Sequence, residues 1–266
     1  MLAQPMKDES AEIIVNRPEV GLYHLLMLRA PGIAPLVAPG QFVHLRIWPC
    51  ADALLRRPFS VYRVEGDCLS ILYKVVGKGT AALARMPPGE HVAALGPLGH
   101  GFSLPCAGGG MPILVAGGYG VAALYLLAER SPVRGILFQG GRRKEDILCE
   151  PDFRALGWEV RVATEDGSWG TRGLVTDLLR EELRSGGRGA KLYACGPTGM
   201  LRAVAQLAEE YGLPAELSLD ERMCCGMGVC LTCVVPVRTD TGWEYQRACT
   251  EGPVFDARQL LWEVPS

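Results

Sequence analysis

Along the first hundred residues, apolar and polar positions alternate with a period of two. Phe42-Val43-His44-Leu45-Arg46-Ile47 is one such run, and Leu69, Ile71, Tyr73 and Val75 mark another. Successive side chains of a strand point to opposite faces, so this period predicts strands. Pro and Gly clusters at 31–40, 87–89 and 96–101 separate the runs, which together predict a small antiparallel barrel. From residue 108 the pattern changes to short apolar runs at 113–116, 135–138, 160–163 and 191–194, each followed by a turn and a helical stretch. That alternation requires crossover connections and predicts a parallel, doubly wound α/β sheet. A last crossover helix at about 199–211 and a strand at 215–219 lead into a cysteine-dense tail. The expected organisation is therefore multi-domain, with an antiparallel β-barrel over 1–107, an α/β unit over 108–215 and a small C-terminal unit over 216–266.

Composition fits a folded chain of 266 residues, with 48% apolar and 21% charged residues. The net charge of −2 and the lack of a long basic run leave out the electrostatic footprint of a nucleic-acid binder. Arg142, Arg143 and Lys144 come nearest, and read as a solvated loop more readily than as a grip on ligand phosphates. Residues 111–128 carry no charge and match a membrane span in length. Gly117, Gly118 and Gly120 interrupt them, however, which suits a buried strand, a turn and a helix, so no membrane span is expected. The opening MLAQPMKDES has no apolar run behind its charges, which predicts no export signal and a cytoplasmic, reducing setting. Ten cysteines there point to ligands more than to disulfides.

The tail runs Met223-Cys224-Cys225-Gly226-Met227-Gly228-Val229-Cys230-Leu231-Thr232-Cys233, followed by Cys249. Counted from Cys225, the spacing is C-x4-C-x2-C-x15-C, the front half of which is the plant-type ferredoxin pattern. Four thiolates on two irons need two ligands per iron. A trio on one loop plus one distant cysteine supplies them, and Gly226 and Gly228 can turn backbone N–H groups toward an anionic cluster. A zinc site usually takes two C-x2-C knuckles, and Cys230 with Cys233 forms a single one. The expected ligands are Cys225, Cys230, Cys233 and Cys249. Cys224 is left aside because neighbours on a strand point opposite ways. Cys50, Cys68, Cys106 and Cys149 are scattered and receive no role.

In the barrel, Arg57-Pro58-Phe59-Ser60 offers a guanidinium for a pyrophosphate, a ring to lie on an isoalloxazine and a hydroxyl for a ring nitrogen. Gly79-Thr80 opens a helical run, where free amides suit a phosphate and a simple helix cap fits equally well. Gly117-Gly118-Tyr119-Gly120 joins a strand to a helix through a glycine turn, and Cys195-Gly196-Pro197 ends a later parallel strand. Ligands of such sheets bind at the carboxyl ends of strands, so both turns are expected to border one crevice. Cys195 also reads as a buried strand-end thiol. The four histidines, His24, His44, His91 and His100, show no catalytic setting.

Taken together, these residues resemble the ferredoxin-NADP reductase superfamily, and more closely the electron-transfer subunits of dihydroorotate dehydrogenase B. Gly96-Pro97-Leu98-Gly99 with Gly101-Phe102, Thr164 to Ser168 with Gly170 and Gly173, and Cys249 to Val254 carry the likeness further. The resemblance implies an FAD barrel, an NAD domain and a [2Fe–2S] domain serving a separate FMN-containing catalytic subunit, in a heterotetramer of two of each, for pyrimidine biosynthesis. It implies that Arg57 to Ser60, Leu72, Tyr73, Lys74, Gly79 and Thr80 contact FAD. Phe59 keeps the ring of the tyrosine that related reductases often carry there. The alternative implied by the same cofactors is an NAD(P)H-dependent reductase component for another partner, such as ferredoxin, sulfite or sulfide chemistry. A zinc-bound interaction module is the non-enzymatic alternative.

Overall fold

The computed structural model describes residues 6–47, 54–106, 108–186 and 191–263; Cys50 lies outside them. The period-two region forms β1 (Lys7–Pro18), β2 (Tyr23–Arg29), β3 (Phe42–Arg46), β4 (Arg57–Ser60), β5 (Arg63–Glu65), β6 (Cys68–Lys74) and β7 (His91–Leu98). They make one antiparallel sheet in the order β4-β3-β7-β1-β2-β6-β5. A short helix, α1 (Lys78–Leu83), puts Leu83 into the same core as Val43, Leu45, Phe59, Leu69 and Ile71. Strand β3 is buried on both faces, unlike an ordinary barrel strand with one wet face. Val43 and Leu45 point into the barrel, while Phe42 and His44 lie under the C-terminal segment.

The second region contains β8 (Pro112–Gly117), α2 (Val121–Arg130), β9 (Ile136–Gly141), α3 (Glu150–Ala155), β10 (Glu159–Thr164), β11 (Thr171–Arg172), α4 (Val175–Ser185), β12 (Lys191–Cys195), α5 (Thr198–Glu210) and β13 (Ala215–Ser218). Its strands pair in parallel in the order β11-β10-β9-β8-β12-β13. The uncharged stretch is β8, a tight turn and α2, whose residues 121–128 are all buried. Burial on every side accounts for its even apolarity. Among the described residues, no helix is long and apolar enough to cross a membrane. Helix α4 shows the usual one-sided stripe instead, burying Val175, Leu179 and Leu183 at four-residue intervals.

The tail forms a hairpin, β14 (Val234–Thr239) and β15 (Gly242–Arg247), and then β16 (Val254–Asp256). Strand β16 pairs antiparallel with β13, Ser218 facing Val254 and Glu216 facing Asp256. Cys233, Val235, Val237, Ala248 and Cys249 share a core with Leu201 and Leu217 of the parallel sheet unit. A segment this short buries too little surface for a core of its own, and borrows one.

Candidate cofactor site

A cavity of about 1120 Å³ lies between the barrel and the carboxyl ends of the parallel strands. Its barrel side is made by Arg57, Pro58, Phe59, Ser60, Leu72, Tyr73, Lys74 and Thr80. Its opposite side is made by Gly117, Gly118, Gly120, Cys195, Gly196 and Pro197. Two motifs on β4 and β6 and two strand-end turns thus converge on one cleft, wide enough for a dinucleotide with a second ring system beside it. Gly79 does not line it; a Cβ there would sit 3.1 Å from Arg57 Nε, so its bareness lets α1 pack behind the guanidinium. Thr80 Oγ1 accepts the N–H groups of Val76 and Gly77, at 3.0 and 3.2 Å, so its hydroxyl caps α1. The rings of Phe59 and Tyr73 meet edge to face at 5.9 Å. On the far side the two turns touch: a Cβ on Gly120 would lie 2.4 Å from the carbonyl oxygen of Cys195, which reserves the position for glycine. Burial, and then nearby Asp220, push the Cys195 thiol up to about 12, so it stays protonated. Arg142 and Arg143 also face the cleft, while Lys144 Nζ sits over the Trp169 ring at 4.9 Å.

Tyr23, Asp146 and Asp220 also line the cleft and carry no sequence motif. Lys74 Nζ donates to the Tyr23 hydroxyl at 3.1 Å, and Tyr23 donates to Asp146 Oδ1 at 2.8 Å, which ties the barrel to the turn after β9. Burial opposes ionisation of Asp146, but the Tyr23 hydroxyl and Lys74 together hold its carboxyl below the usual range. Burial raises the Tyr23 phenol, and the bonded Asp146 raises it further. Tyr119 in the glycine turn donates to Asp220 Oδ2 at 2.9 Å, which ties that turn to the start of the cysteine loop. These partners lie 123 and 101 residues apart in the chain, beyond the reach of any local pattern.

The cysteine loop is a series of bends rather than a strand, so alternation of strand faces does not separate Cys224 from Cys225. Hydrogen bonding does. The N–H groups of Met227 and Val229 both donate to Cys225 Sγ at 3.4 Å, with Gly226 and Gly228 at φ +70° and +76°. Such a turn aims successive amides at one anion. All four cysteines are free thiols; Cys225 lies close enough to Cys230, and Cys233 to Cys249, for each to perturb its neighbour's ionisation. Cys224 also reaches Cys230. Among the described residues, no three His, Cys, Asp or Glu side chains converge on a single ion. Two thiol pairs with inward amides suit a binuclear cluster better than one zinc ion. Cys233 and Cys249 are buried and Cys230 is exposed, so the arrangement has an inner and an outer edge. Arg247 holds the loop down, donating to the Gly228 carbonyl at 3.1 Å while paired with Glu251. At the other end of the loop, a Cβ on Gly226 would lie 2.7 Å from His44 Nδ1, so the loop rests directly on β3.

Residues 220–261 match the family model described as the iron-sulfur cluster binding domain of dihydroorotate dehydrogenase B, and residues 114–206 match an oxidoreductase NAD-binding domain. The dihydroorotate dehydrogenase B (NAD(+)) electron transfer subunit of Desulforamulus reducens is 41% identical over 239 residues, 88% of this chain and 90% of its own length. That of Bacillus caldolyticus is 46% identical over 231 residues, covering 84% and 86%. The chain belongs to this family of electron transfer subunits. Among solved structures, an NADH-dependent reduced ferredoxin-NADP oxidoreductase studied for flavin-based electron bifurcation aligns with a TM-score of 0.83 and 28% identity, covering 95% of this chain and 90% of its own. A ferredoxin reductase of carbazole 1,9a-dioxygenase shares the fold, with a TM-score of 0.67 at 21% identity over 79% of this chain and 68% of its own. The two family-model matches take in the whole cysteine loop and both strand-end turns of the cleft.

Proposed function

We propose that this chain uses FAD and a [2Fe–2S] cluster to couple NAD(H) to an FMN-containing dihydroorotate dehydrogenase catalytic subunit, in the cytoplasm, for pyrimidine biosynthesis. The observation that carries the reading is the single cleft shared by the Arg57–Ser60 strand and the Cys195–Pro197 turn, with the cysteine loop anchored beside it. When bound, the flavin exchanges a hydride on one side and single electrons on the other, and the cluster carries one electron at a time.

The chain's own residues divide that task. Arg57 would neutralise the flavin pyrophosphate, Phe59 and Tyr73 would wall the isoalloxazine, Ser60 would offer it a hydroxyl, and Leu72, Lys74 and Thr80 would complete the wall, with Gly79 packed against Arg57. Gly117, Gly118, Gly120, Gly196 and Pro197 would let the nicotinamide nucleotide approach the backbone, beside the neutral Cys195 thiol. Cys225, Cys230, Cys233 and Cys249 would hold the two irons of the cluster, two thiolates to each. The exposed Met227, Val229 and Leu231 around the outer edge are where the catalytic subunit docks, in a heterotetramer of two of each. The three functions follow 1–107, 108–215 and 216–266.

An anaerobic titration of the purified protein with NADH tests this. Flavin bleaching together with an EPR signal from a reduced binuclear cluster is expected, as is copurification with an FMN protein. Stoichiometric zinc without acid-labile sulfide would refute it.

A further inference from the structure

His44 is the one histidine wholly enclosed, and neither Nδ1 nor Nε2 has a hydrogen-bond partner among the described residues. A buried polar group left unsatisfied is costly, so its place in the fold calls for a partner that the described residues do not supply. Two neighbours bound the ring. Phe42, on the same face of β3, stands edge-on with its centroid 5.8 Å away. On the other side is Gly226, where a Cβ would sit 2.7 Å from Nδ1 and 2.9 Å from Cε1, so the Nδ1 edge rests on the residue that follows Cys225. Arg56 reaches the strand too, but its hydrogen bond goes to the backbone carbonyl of His44, at 3.4 Å, and not to the ring. His44 does not line the cofactor cleft, so the flavin is not the missing partner.

We infer that His44 donates an imidazole N–H to a sulfur of the iron–sulfur unit at its Cys225 end, and thereby raises the reduction potential of that unit. The inference rests on the reading of the cysteine loop as a [2Fe–2S] site. Hydrogen bonds to cluster sulfurs stabilise the more negative, reduced form, and so favour reduction. His44 is a positioning residue here, contributed by the flavin barrel to a centre whose thiolates all come from the tail.

The test is an EPR-monitored potentiometric titration of the holoprotein, comparing the unaltered chain with His44→Leu and His44→Asn, whose amide N–H stands close to the Nδ1 position. His44→Leu is expected to disfavour cluster reduction about tenfold, about 59 mV for one electron, with the flavin midpoint unmoved and the Asn variant recovering most of the loss. An unmoved cluster midpoint in a loaded Leu variant overturns the inference. Should the Leu variant hold no cluster, pulsed EPR of the unaltered protein labelled with 15N-histidine decides. His100 is the control, because its Nδ1 lies 2.7 Å from the carbonyl of Thr250, next to Cys249. A 15N coupling to the reduced cluster that survives His100→Gln and disappears in His44→Asn supports the assignment; no 15N coupling overturns it. Absence of any binuclear signal from the unaltered protein removes the cluster reading itself, and this inference with it.

Discussion

The Tyr23 hydroxyl and the Asp146 carboxylate meet across the cofactor cleft at 2.8 Å, one from β2 of the barrel and one from the turn after β9. With Lys74 on the same hydroxyl, they form a clasp that sets the spacing of the two cleft walls. Tyr23→Phe keeps the ring and removes both hydrogen bonds, so it should cost about 1–2 kcal/mol in denaturant unfolding and weaken flavin retention. The clasp also carries a pH signature. Because the folded state holds the Asp146 carboxyl below its ordinary 3.8, its contribution is complete above that pH and is lost as the pH falls further below it. The stability difference between the unaltered chain and Asp146→Asn should accordingly shrink in melts taken below that point; a constant gap would show that the carboxylate contributes no charge-dependent stability.

Gly226 is committed twice over, by a φ of +70° and by His44 standing where its Cβ would go. Gly226→Ala should prevent cluster assembly while the barrel keeps its flavin. Iron and sulfide analysis alongside the flavin spectrum separates this from general unfolding.

Cys225 receives two amide N–H groups from its own loop. Cys225→Ser is expected to abolish the binuclear EPR signal, whereas Cys224→Ser should retain it at full intensity. The reverse pattern would mean that the first ligand is misassigned, since both sulfurs reach Cys230.

Arg57 is the arginine of the Arg57–Ser60 strand that faces the cleft, with Gly79 packed behind it. Removing a charged hydrogen-bond donor costs about 1.5–3 kcal/mol, so Arg57→Ala should weaken FAD binding by roughly ten- to a hundredfold. Fluorescence titration of the flavin-depleted protein reads this directly, and an unchanged affinity would place the pyrophosphate elsewhere.

What could be read from the chain alone was whatever repeats locally. The run at Phe42–Ile47 carries its own period and the one at 113–116 its unbroken apolarity, and they appear as β3 and β8. The cysteine spacing works in the same way, because ligands to one centre must be close in space and three of them are close in sequence. Contacts made by single polar groups across long separations left no such trace. Tyr23 reads as one more apolar strand position until Asp146 stands opposite it. His44 fits the alternation of β3 so well that nothing flags it, because the reason for its burial, the loop around Gly226, lies 182 residues further on in sequence number. The pairing of β16 with β13 was hidden for a related reason: a three-residue strand has too few positions to display a period.

That last pairing has a kinetic meaning. Residues 219–253 leave the sheet at β13 and come back to the same strand as β16, so the cysteine loop is fastened at both ends to the wall of the nucleotide unit. It is wired in place like a soldered joint, with no tether on which to swing between donor and acceptor. Internal electron flow should then depend on distance and driving force alone, and stay indifferent to solvent viscosity.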